Sequence, residues 1–89
     1  MAKRRDLKKA INAMCADLMV ELMAAQQSNP NIPQDDITNI AESIIMMQED
    51  FTNRLNHVDK RQVDRFFAQM EEDLATTTNE IVDQICHLF

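Results

Sequence analysis

The sequence predicts an all-α fold, an antiparallel up-down-up three-helix bundle, on three observations. The 89-residue chain has no glycine, the residue that supplies positive φ in tight turns and bulges, and this disfavours a hairpin-rich β fold. Apolar residues recur at three- and four-residue spacing along most of the chain, the period of a helix face. One segment alone, SNPNIPQD at 28–35, gathers strong helix breakers. The length suits a single domain, 1–89, whose core is marginal without further support.

The first helix is predicted over about residues 5–27, where Leu7, Ile11, Met14, Leu18, Leu22 and Ala25 share one face. Cys15, Met19 and Met23 widen that face sideways. The loop 28–35 follows, because the residue before each proline is pushed to extended geometry. The second helix is predicted over about 36–57, with Asp35 or Asp36 as its N-cap and a stripe of Ile37, Ile40, Ala41, Ile44, Met47, Phe51 and Leu55.

The third helix is predicted over about 60–89, after a break near His57–Asp59. Asp59 with Gln62 has the spacing of a capping box, and Val58 with Val63 that of a hydrophobic staple. Val63, Phe66, Phe67, Met70 and Leu74 point inward, and Ile81, Ile85 and Leu88 continue the period. TTTN at 76–79 offers an alternative. Its β-branched residues weaken a helix, and Thr77 with Glu80 could cap a short fourth one. Unbroken, the third helix would be about 45 Å long against about 33 Å for the second.

Apolar residues exceed what three stripes need. Ile44, Ile45, Met46 and Met47 are consecutive, and at about 100° per residue they point almost all the way round a helix. Leu18, Met19, Val20, Leu22 and Met23 repeat the excess in helix 1. The expected remedy is a second surface, from another protein or most simply from another copy in a twofold homodimer. The candidate interface is Val20, Met23, Ile45 and Met46, with Ile81, Val82 and Phe89 from the end of helix 3. The methionines suit either a core or an adaptable groove for a partner's helix.

Charge is unevenly distributed. The net charge is −6, yet Lys3, Arg4, Arg5, Lys8 and Lys9 all fall in the first ten residues. With antiparallel helices, Arg54, Lys60, Arg61 and Arg65 join them at one end of the bundle. This basic pole is a candidate anion site. It supports an alternative function, a nucleic-acid-associated regulator, and the helix 2–helix 3 junction has a helix-turn-helix outline. The acidic total, and Asp59 and Asp64 within the pole, count against that alternative.

Catalytic motifs are not found. Ser28 and Ser43 lack a His/Asp arrangement, and a Gly-rich phosphate loop is impossible here. His57 reads as a capping or surface residue. Asp83, Cys86 and His87 form at most an incomplete metal set within one helix, so no metal or cofactor is expected. Cys15 and Cys86 read as reduced core thiols of a cytoplasmic protein. No signal peptide is evident, and apolar runs of at most four residues give no transmembrane span. The reading is a non-catalytic, self-associating or protein-binding module.

Overall fold

A computed structural model describes residues 3–58 and 61–88, Lys3 by its backbone alone. Three helices follow in order: α1 (Lys3–Ser28), α2 (Gln34–Asn56) and α3 (Val63–Cys86). There are no strands among the described residues. None of these helices is long and apolar enough to cross a membrane.

Side-chain hydrogen bonds give the register. Arg4 Nη2 donates to Asn56 Oδ1 at 3.4 Å, Gln48 Nε2 to Asn12 Oδ1 at 2.9 Å, and Gln26 Nε2 to Gln34 Oε1 at 3.2 Å. Residue number rises along α1 as it falls along α2, so the two are antiparallel over their full lengths. Arg54 on Asp73 and Thr78 on Met47 set α3 antiparallel to α2 in the same way. The result is an up-down-up three-helix bundle measuring 50 × 17 × 15 Å between Cα atoms.

The core is the inner stripe of each helix. Ile11, Cys15, Leu18, Leu22 and Ala25 meet Ile37, Ile40, Ile44, Met47, Phe51 and Leu55 of α2. Phe67, Met70, Leu74, Ile81 and Ile85 of α3 complete it. Leu7, Met14, Ala41, Val63, Phe66 and Leu88 lie partly buried against its margins.

The helix starts differ from the expected capping. Asp35 and Asp36 sit inside the first turn of α2, and neither is its N-cap. That position is Pro33, in extended geometry at φ −57° and ψ 135°, whose carbonyl accepts the Asp36 amide at 3.1 Å. The two carboxylates still favour the start through the helix dipole. α3 opens at Val63, which makes Gln62 the N-cap residue, with no side-chain cap bond. The expected box partner Asp59 lies outside the described residues, as does Lys60. His57 caps the other end: its amide bonds the Arg54 carbonyl at 3.2 Å, and its Nδ1 donates to the Asn53 carbonyl at 2.8 Å.

α3 runs unbroken across 76–79, and no fourth helix is present among the described residues. The threonines are accommodated locally. Thr76 Oγ1 donates back to the Glu72 carbonyl at 3.0 Å, a bond that satisfies the hydroxyl inside a helix. Thr78 Oγ1 reaches Met47 Sδ at 4.0 Å. Because α3 has only 24 residues, its length is about 36 Å and matches α2. The expected overhang disappears with it.

Two further corrections follow from that match. Ile81, expected on the partner surface, is 3% exposed and belongs to the core. It lies seven residues after Leu74, two turns along the same inward line. Cys86, expected in the core, is exposed, because it is one residue and about 100° on from buried Ile85. Cys15 is buried, and burial pushes its thiol up from the ordinary value. In native protein, a thiol-specific reagent is therefore expected to label Cys86 quickly and Cys15 only on unfolding. Equal labelling rates would contradict the packing of α1.

Candidate interaction surface

Among the described residues, the exposed large apolar ones are Val20 (64%), Met23 (57%), Ile45 (48%) and Met46 (67%). Helical geometry explains each. Val20 stands two residues from both Leu18 and Leu22, which are buried, so it points about 160° away from either. Ile45 and Met46 follow buried Ile44 by one and two residues, about 100° and 200° round the helix.

The register decides which of these residues share a side. Asn12 and Gln26 are the α1 residues that bond α2. Met23 is eleven residues after Asn12, three turns along nearly the same azimuth. On α2, Ile45 is eleven residues after Gln34, which bonds Gln26 and therefore marks the α1 side. Met23 and Ile45 thus flank one outer groove between α1 and α2, with half-buried Met19 and Ala41 between them. Val20 lies about 60° further round α1. Met46 is about 100° beyond Ile45 and belongs to a different face. Val82 is half-buried against the core, and Phe89 lies outside the described residues.

The basic pole is less concentrated than its residue numbers suggest. Antiparallel packing does bring the start of α1, the end of α2 and the start of α3 to one end. Arg54, however, is fully engaged. Its guanidinium bonds Asp50 Oδ2 at 3.1 Å and Asp73 Oδ2 at 2.9 Å, and it stands 4.8 Å over the Phe51 ring. Gln69 Nε2 donates to the second oxygen of Asp73 at 2.9 Å. Arg54 is thereby removed from the anion-binding set. Asp73 is a residue that the spacing of the sequence did not bring to this end.

Arg4 is exposed and bonds Asn56, while Arg5, Lys8, Lys9, Arg61 and Arg65 are also exposed. Lys8 lines a shallow cleft with Gln48, Glu49 and Thr52 on the α1 side of α2. Arg65 lines another with Arg54, Phe66 and Asp73 on the α3 side. The cations therefore spread around the end and do not converge on one point, and each cleft contains an acid. At the opposite end, His87 Nδ1 donates to the Asp83 carbonyl at 2.6 Å. No three His, Cys, Asp or Glu side chains converge as metal ligands among the described residues.

No family model, no curated protein and no solved structure matches this chain.

Proposed function

We propose that the protein is a non-catalytic helical interaction module of the cytoplasm that associates, with a second copy or with another protein, through the outer side of α1 and α2. The observation that carries this reading is the exposure of Met23 and Ile45 along one groove between α1 and α2, with exposed Val20 about 60° further round α1. Isolated apolar side chains on a surface are ordinary. A contiguous group on a bundle whose core is already filled is a surface that water disfavours. Fully burying a side chain of this size contributes about 1.5–3 kcal/mol. Three that are half exposed supply on the order of 3 kcal/mol, so the neighbouring polar rim must contribute as well.

The test is solution mass by light scattering. Wild type is expected to exceed the monomer mass of 10.3 kDa at micromolar concentration. Val20→Glu combined with Ile45→Glu is expected to return it to monomer while the thermal midpoint stays within a few degrees, since both side chains face outward. A wild type that stays monomeric, and captures no protein partner, ends the proposal.

The alternative, a nucleic-acid-associated regulator, draws on exposed Arg5, Lys8, Lys9 and Arg65. The engagement of Arg54 and the scatter of the remaining cations weaken it. Salt separates the two readings. Phosphate binding falls steeply as salt rises, whereas an apolar association holds or strengthens.

A further inference from the structure

The fold divides the described methionines. Met47 and Met70 are enclosed in the core, and Met14 and Met19 lie half-buried against it. Met23 and Met46 project outward. Leucine matches methionine in helix propensity and in volume. What the thioether adds at an exposed position is a sulfur that a hydroperoxide can oxidise.

The two exposed sulfurs have different surroundings. Met23 stands in the groove between α1 and α2, with half-buried Met19 one turn before it and Ile45 on its α2 side. Met46 belongs to another face of α2, with exposed Glu42 and Glu49 one turn to either side. We propose that Met23 is a redox switch on the associating surface: its conversion to the sulfoxide releases the partner, while Met46 takes up the same oxidant without that effect. This switch rests on the association through the groove proposed above.

The chemistry is a two-electron oxygen transfer. A sulfur lone pair attacks one oxygen of hydrogen peroxide, and the S–O bond forms as the O–O bond breaks. The proton on the transferred oxygen passes to the departing hydroxide, which leaves as water. Sulfur is oxidised by two electrons and the peroxide is reduced by two. A polar S–O group now replaces an apolar thioether. In the free chain that oxygen is hydrated, but a partner that covers it strips its water away. Its neighbours Met19, Ala41 and Ile45 have no side-chain donor to offer in return. Association also shields the sulfur, so the sulfoxide forms in the dissociated chain and holds it there. Enzymatic reduction of the sulfoxide restores the surface. The core is spared at the same dose, because oxidation follows exposure.

Limited peroxide treatment of dilute, dissociated protein tests the switch, in a Cys86→Ser background that removes the exposed thiol. Peptide mass spectrometry reads each site, and light scattering reads the mass after concentration. Met23 and Met46 are expected to convert at least about tenfold faster than Met47 and Met70. Once both are converted, the concentration needed for association is expected to rise about tenfold or more. Met23→Leu is expected to associate before and after treatment, and Met46→Leu to respond as the background chain does. Met23→Gln, polar and of similar length, is expected to lose association without any oxidant. Met23 that stays reduced while Met46 converts overturns the switch, and so does undiminished association with Met23 converted. Loss of association in treated Met23→Leu, with Met47 and Met70 intact, moves the effect to another site and overturns it as well. Those three results leave the association itself standing. A chain that is monomeric before treatment overturns the association and the switch together.

Discussion

Phe51→Ala is expected to lower the free energy of unfolding by about 3–5 kcal/mol, read from a urea titration. Phe51 is 2% exposed and is among the largest fully buried side chains, with Ile11, Ile44, Leu55 and Met70. Truncation removes apolar contact and leaves a cavity that helices held on both sides cannot fully close. It also removes the ring beneath the Arg54 guanidinium, 4.8 Å away. That contact adds at most about 1 kcal/mol, because Arg54 is partly open to solvent. A domain of this size has a total stability of only about 4–13 kcal/mol, so the variant is expected to be largely unfolded by mild heating. A loss below about 1 kcal/mol would show that the ring is not packed where α2 places it.

Thr78→Pro is expected to cost about 3 kcal/mol or more, and Thr78→Ala about 1 kcal/mol or less. In an unbroken α3, proline at this position removes an interior amide donor, and its ring clashes with the carbonyl one turn earlier. Had the helix broken at Thr77, residue 78 would be the first residue of a new helix, where proline is well tolerated. The pair of variants therefore separates the two topologies without further structural work. The alanine control removes only the weak contact of Thr78 Oγ1 with Met47 Sδ. Equal midpoints for the two variants would mean that α3 does not continue through the threonines.

Much of this architecture follows from local spacing. The inward stripe of α2 is readable residue by residue, because a helix turns about 100° per residue whatever surrounds it. The single proline-rich segment likewise marks the α1–α2 turn, since Pro30 and Pro33 forbid continuation there. The start of α3 was not readable with the same accuracy. No glycine or proline marks it, and the capping-box spacing of Asp59 and Gln62 pointed about three residues too early. With an end expected at 89 where the helix stops at Cys86, that shift made α3 too long by about two turns, although the inward period that Ile81 shares with Leu74 already placed it in the core.

The candidate surface divides along the same line. That α1 and α2 carry apolar residues beyond one stripe is a property of the chain alone, fixed by azimuth. Packing between helices decided that Met23 and Ile45 share a groove, that Met46 stands apart, and that Asp73 neutralises Arg54. These depend on the axial register of one helix against another. Register is set by which side chains interlock across the bundle, a long-range choice that spacing within a helix does not encode.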